Sequence, residues 1–148
     1  MDYASLKTEL TDDPLSLGYS TFQSEGSDSG QADLLNSLTG QGAATITLAV
    51  MDNASFVTAF LPYLPAIFTL SAAKQAFYTA VWNAILLMPT IRLSNGNVSG
   101  LMSQAVADGI LTGPQAQALT QRTGSRAEVL FGQDTVIQHA DISRALRG

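Results

Sequence analysis

Apolar side chains recur at helical spacing through most of this chain, and Pro, Gly and Asp interrupt them at short intervals. Tyr3, Leu6 and Leu10 share one face of a helix expected over residues 2–10, and Asp2 stands where an N-cap is needed. The stretch "TDDPLSLGYS" at 11–20 then ends it. The residue before a proline is pushed out of the helical region, Asp side chains bond nearby backbone N–H groups, and Gly18 can take a positive φ. Punctuation therefore accounts for Asp12 and Asp13 without a ligand, since a hard cation needs several convergent oxygens. Residues 20–31, "STFQSEGSDSGQ", are rich in Ser and Gly and read as a surface loop, as do residues 39–43. Between these loops a short helix is expected at 31–38. After them "AATITLAV", 43–50, carries β-branched residues over a strand's length.

Between Asp52 and Arg92 the only charged residue is Lys74. "FVTAFLPYLPAIFTL" and "AFYTAVWNAILLM" could be drawn as two membrane spans, but each falls short of the roughly 20 apolar residues a span needs. Pro62 and Pro65 break the first. In the second, Ser71, Gln75, Thr79 and Asn83 recur every four residues as a polar stripe opposite Phe77, Val81, Ile85 and Met88. A spanning helix has no need of that stripe. Helices are expected over 54–61 and 71–88, with Pro62–Pro65 as a kinked or short helical connection.

The last third has the clearest caps. Asn97 precedes a helix carrying Val98, Leu101, Met102, Ala105 and Val106, and Gly109 fits the position just past its end. Thr112 caps the next helix, with Pro114 in its first turn. Ser125 and Glu128 form a capping box for "SRAEVLFG", which Gly132 closes. "TVIQ" then leads in extended form to a final helix at about 139–147. The expected fold is mainly α: one compact helical domain over 1–148, about five to seven helices, one short β element around 43–50, and residues 133–148 as a C-terminal arm.

Hydrophobic residues make up 46% of the chain and charged residues 13%, too apolar for disorder and low in charge for a protein that meets only water. The net charge of −5 repels phosphate backbones and anionic lipid, which counts against nucleic-acid binding and a membrane partner. Arg144 and Arg147 in the terminal helix suggest a DNA-reading element, but two arginines also complement a helix dipole, and no basic footprint surrounds them. Without cysteine there are no disulfides or thiolate metal sites, and the N-terminus has no secretory-signal pattern; a cytoplasmic origin is expected. Catalytic constellations are sparse. His139 is the only histidine, and no serine is singled out beside it. The acids Asp2, Glu9, Asp12, Asp13, Glu25 and Asp28 read as a solvated face, and neither "GPQAQALT" nor "TGQGAAT" matches a phosphate loop. No catalytic, cofactor-binding or metal-ligating residue is assigned, and no enzyme is expected.

Two blocks carry a resemblance. "DYASLKTELTDDPLSLGYS" and "GSRAEVLFGQDTVIQHADISRAL" resemble a family of small proteins encoded among the virion structural genes of tailed bacteriophages. The blocks cover less than a third of the chain, and their motifs are structural. The resemblance implies a virion component assembled in the host bacterial cytoplasm. The physical profile, helical with excess apolar surface, suits a head–tail connector of adaptor type, a homo-oligomeric ring whose partners are its own copies, the portal and other neck or tail proteins. Capsid decoration, tail completion and a small holin-type membrane protein are the alternatives. Phe56, Phe60, Tyr63, Phe68 and Trp82 supply several large apolar bodies within 27 residues and are the candidate interface, with one shared core as the competing explanation.

Overall fold

Asp2 begins the first helix in the computed structural model, which describes all 148 residues, Met1–Gly148: its carboxylate accepts from the N–H groups of Ala4 and Ser5, each at 3.1 Å. The elements that follow are α1 (Tyr3–Asp12), α2 (Tyr19–Ser24), α3 (Asp28–Asn36), β1 (Ala44–Thr47), β2 (Val50–Asp52), α4 (Asn53–Phe60), a 3-10 turn (Leu61–Tyr63) and α5 (Leu64–Ile67). The remainder is α6 (Ala72–Leu86), β3 (Thr90–Arg92), α7 (Gly96–Ala107), α8 (Gly113–Ala118), β4 (Gln121–Gly124), α9 (Arg126–Phe131) and α10 (His139–Arg147). The protein is mostly helical, with more helices than the pattern suggests, and its strands form two two-stranded sheets, β1 with β4 and β2 with β3. No helix is long and apolar enough to cross a membrane.

The chain divides into two compact units, Met1–Ile46 with Thr123–Gly148, and Thr47–Arg122. The first is closed by both ends of the chain. Leu6 and Leu10 of α1, Tyr19 of α2, Ala32 and Leu35 of α3, Ala127 of α9, and Ile137, Ile142 and Ala145 form its core. The segment before α10 is held by Asn36, whose side chain donates to the Ile137 carbonyl at 2.8 Å and accepts from the Ile137 N–H at 2.9 Å, as a neighbouring strand would. Residues 133–148 are thus packed into this unit by α1 and α3.

The second unit is built around Phe56 and Phe60 of α4, Tyr78 and Ile85 of α6, Ile91 of β3, and Val98, Leu101 and Ala105 of α7. β2 pairs antiparallel with β3, Met51 opposite Ile91. Asn53 ties α4 to the end of α6, its side-chain N–H groups reaching the carbonyls of Ile85, in the last turn of the helix, at 2.7 Å and of Met88, just past it, at 2.8 Å.

Four expectations are corrected. Residues 20–31 are not a loop but most of α2 and the start of α3: Ser27 caps α3 through Gly30 N–H at 3.2 Å, and Gly30 is glycine because a Cβ there would lie 2.2 Å from the ring of Phe22. The β-branched run at 43–50 is two strands, and β3 and β4 were not anticipated, because short strands are specified by their partners. The cap of α7 is Asn95, which accepts from Asn97 N–H at 2.9 Å, so Asn97 already lies in the first turn. In α6 Tyr78 is buried where Phe77 was expected: Phe77 is 40% exposed, whereas Tyr78 faces the core and its hydroxyl reaches the carboxylate of Asp108.

Candidate functional site

Polar chemistry in the first unit converges on Glu9. Arg126 grips its carboxylate with both arms of the guanidinium, Nε to Oε1 at 2.8 Å and Nη2 to Oε2 at 2.7 Å, and the Tyr19 hydroxyl donates to Oε1 at 3.3 Å. Glu9 is 4% exposed, so it is no part of a solvated acidic face; its partner lies 117 residues away, which no local pattern reveals. Burial, then the adjacent Glu9 carboxylate, pushes the Tyr19 phenol well above its usual range, and the bond to Glu9 raises Arg126. With both carboxylate oxygens engaged, this cluster fastens α9 to α1 and presents no base.

Asp13 shows why "TDDPLSLGYS" is punctuation. It takes a left-handed backbone, φ 41°, and its carboxylate accepts from Leu17 N–H at 2.6 Å and Gly18 N–H at 2.8 Å, while Gly18 follows at φ 91°. The arginines of α10 are also committed: Arg144 lies over the Tyr3 ring, 5.2 Å from its centroid, and Arg147 pairs with Asp28. His139 is exposed at the start of α10, and no group of His, Asp or Glu in the molecule is arranged to hold a metal ion.

In the second unit the polar centre is Asp108 at the end of α7. Its side chain is 2% exposed and accepts from Lys74 Nζ at 2.5 Å, the Tyr78 hydroxyl at 2.9 Å and Gln104 Nε2 at 3.0 Å. The bond from Lys74, then that from Gln104, holds its carboxyl below the ordinary range; burial and the bond to Asp108 raise the Tyr78 phenol. The one charged side chain of the 53–91 stretch is therefore spent on α7.

The same unit leaves an apolar groove open between α5 and α6, about 140 Å³ in volume and lined by Leu64, Ile67, Phe68, Tyr78, Trp82 and the polar pair Thr79 and Asn83. The five aromatic residues expected as an interface divide here. Phe56 and Phe60 are 0% exposed, stacked on each other with centroids 6.0 Å apart, and belong to the core. Tyr63 and Trp82 are half-buried, each with its ring against Phe60 at 6.1 and 5.4 Å. Phe68, at the end of α5, is 75% exposed on the rim of the groove. Leu86 and Leu87, 48% and 86% exposed, continue the Thr79–Asn83 row one turn further along α6, and sequence reasoning missed them.

No protein-family model, curated protein or solved structure matches this chain.

Proposed function

We propose that this chain is a structural component of a tailed-phage virion, a head–tail connector of adaptor type whose copies assemble as a homo-oligomeric ring between portal and tail. The observation that carries the reading is how the chain distributes its chemistry. Its buried carboxylates are spent on internal bonds, whereas large apolar side chains are left open, Phe68 on the rim of a groove and Leu87 at the end of α6. Such a surface suits a protein that is covered by other protein, copies of itself or portal, neck and tail neighbours. The two blocks that resemble phage virion proteins add support, since α1 with α2 and α9 with α10 share one core although more than a hundred residues separate them in sequence. The charge pattern agrees with a partner other than nucleic acid: the arginines of the last helix face Tyr3 and Asp28.

Mass spectrometry of purified heads, tails and whole particles tests this directly, followed by imaging of the neck. The chain is expected at a fixed stoichiometry in particles and at the neck. Its absence from purified particles refutes the proposal.

A further inference from the structure

We propose that Asn95–Gly96, at the entrance to α7, is a site of spontaneous backbone modification, where loss of ammonia and uptake of water convert Asn95 to isoaspartate and open the cap of α7. This chemistry does not depend on a virion role.

The chain has five asparagines, and only Asn95 is followed by glycine. An asparagine amide is lost when the next backbone nitrogen attacks it, and glycine obstructs that attack least, having no Cβ and the widest choice of φ and ψ. The other four are protected. Asn36 is tied through both atoms of its amide to Ile137, and Asn53 to the carbonyls of Ile85 and Met88. Asn83 lies inside α6, where the following N–H is committed to the helix, and Asn97 precedes Val98, which is β-branched and fully buried. Ser94, Asn95, Gly96 and Asn97 are all exposed.

Asn95 is the N-cap of α7, at φ −65° and ψ 132°. Its Oδ1 accepts from Asn97 N–H at 2.9 Å, and its backbone carbonyl accepts from Ser99 N–H at 2.9 Å. Its Nδ2, the group that must leave, is held by no protein acceptor. The nucleophile is equally open: Gly96 is the first residue of the helix, where an N–H has no acceptor one turn back, and no atom lies within 4 Å of where its Cβ would be. Bringing Gly96 N onto Asn95 Cγ requires a turn about ψ of Asn95. That turn gives up two bonds at a helix end, where opening costs least, and leaves Val98, Leu101 and Ala105 in the core.

An aspartate–glycine pair can close the same ring, and the chain has one, Asp108–Gly109. There the carboxylate is 2% exposed and accepts from Lys74, Tyr78 and Gln104, while Gly109 N–H donates to the Val106 carbonyl at 3.1 Å. Electrophile and nucleophile are both committed, so the fold closes Asp108 and leaves Asn95 open.

The step balances with water as the only co-reactant. Gly96 N gives its proton to water and bonds to Asn95 Cγ, and Nδ2 takes up a proton and departs as ammonia, which closes a five-membered succinimide. Water then opens the ring at either carbonyl. Opening at Cγ leaves aspartate in an ordinary main chain, whereas opening at the α-carbonyl leaves isoaspartate, with the chain routed through Cβ and Cγ. Aspartate remains a good cap, a carboxylate at the positive end of α7. Isoaspartate adds a carbon to the main chain and cannot serve Asn97 and Ser99 as Asn95 does. The two products therefore act on α7 in opposite directions.

The full chain is aged in warm, mildly alkaline buffer beside an unfolded peptide of the same local sequence, then digested and read by mass spectrometry, with isoaspartate identified by isoaspartyl methyltransferase. The expected first event is exchange of NH2 for OH at Asn95, with isoaspartate among the products. Gly96→Ala, which the open space beside Gly96 accommodates, should keep the wild-type circular dichroism and slow the loss roughly tenfold or more. Hydrogen exchange at Asn97 and Ser99 should quicken in the isoaspartate form, whereas Asn95→Asp should keep wild-type protection. The proposal is overturned by another asparagine or Asp108 reacting first, by Gly96→Ala ageing like wild type, or by Asn95 intact when the peptide is fully converted. Isoaspartate that leaves the exchange of Asn97 and Ser99 unchanged overturns the opening of the cap.

Discussion

Replacing Arg126 by Met removes a charge while keeping a long flexible stem at a helical position where the two residues have similar propensity. In the wild-type protein the guanidinium supplies two bonds of 2.8 and 2.7 Å to Glu9, which is 4% exposed; Arg126 itself is 15% exposed. In the variant the Glu9 carboxylate stays buried with Tyr19 as its remaining partner among these groups. Breaking a buried pair from one side costs about 3 kcal/mol or more, because the charge left behind is uncompensated. For a chain of this size each kcal/mol lowers the melting temperature by roughly 2–4 °C, so a fall of about 6–12 °C is expected. Neutralising the orphan should recover part of the loss: Glu9→Gln with Arg126→Met removes the buried charge and keeps an acceptor for the Tyr19 hydroxyl. The double variant should be more stable than the sum of the two single losses allows, by about 1–3 kcal/mol of coupling. Urea titrations of the four proteins, followed by far-ultraviolet circular dichroism, measure all four corners. If Arg126→Met loses less than about 0.5 kcal/mol, or the two losses simply add, the pair does not hold α9 to α1 and the structural account of Glu9 is wrong.

Ser125→Ala should cost about 1 kcal/mol, since the hydroxyl accepts from Glu128 N–H at 3.3 Å while Glu128 returns to Ser125 N–H at 3.0 Å; a thermal melt unchanged within error refutes the box. Asn53→Ala removes the side-chain donors to the Ile85 and Met88 carbonyls and should cost about 1–3 kcal/mol in a urea titration followed at Trp82, which shares the core of that unit; an unshifted midpoint means that these bonds do not hold α4 to the end of α6. Asp108, Asp52 and Asp2 are held below the ordinary carboxylate value of 3.8, Asp108 chiefly by Lys74 and the other two by Ser55 and Ser5. Their contribution is present above that value, where the unfolded chain is ionised too, and is lost as pH falls through the lower folded values. Asp108→Asn should therefore lose stability at pH 7 and show a shallower fall between about pH 4 and 2; an acid unfolding curve of unchanged slope refutes the role given to Lys74.

Much of the fold was legible because its boundaries are set by short-range chemistry. Asp2, Thr112 and Ser125 each find their N–H partner within three residues, and Gly18, Gly109 and Gly132 take the positive φ that their places in the pattern require. What was not legible depends on distant groups. A helix through "SDSGQ" looks improbable until Phe22 is seen to occupy the space beside Gly30. Glu9 looks like a surface acid until Arg126 arrives from the other end of the chain. The candidate site divides in the same way. Aromatic spacing marks Phe56, Phe60, Tyr63, Phe68 and Trp82 alike, and nothing in their order says that two are core, two half-buried and one open. That division is made by the Pro-broken turn at 61–67, which ends α4 against Trp82 and leaves Phe68 one residue past α5.

The distribution of charge joins these observations. Ten of the twelve acids lie in the unit made by the two ends of the chain, and three of its four basic residues are engaged there, Arg126 with Glu9, Arg144 with Tyr3 and Arg147 with Asp28. That unit therefore carries an uncompensated negative field, which discourages contact between like copies and favours a neighbour of opposite sign. The inserted unit carries almost no field, and at its groove apolar surface is the larger part of what a partner would meet. A chain so divided has two unlike ways to be recognised: a short-ranged apolar contact on one unit and a longer-ranged, salt-sensitive attraction on the other.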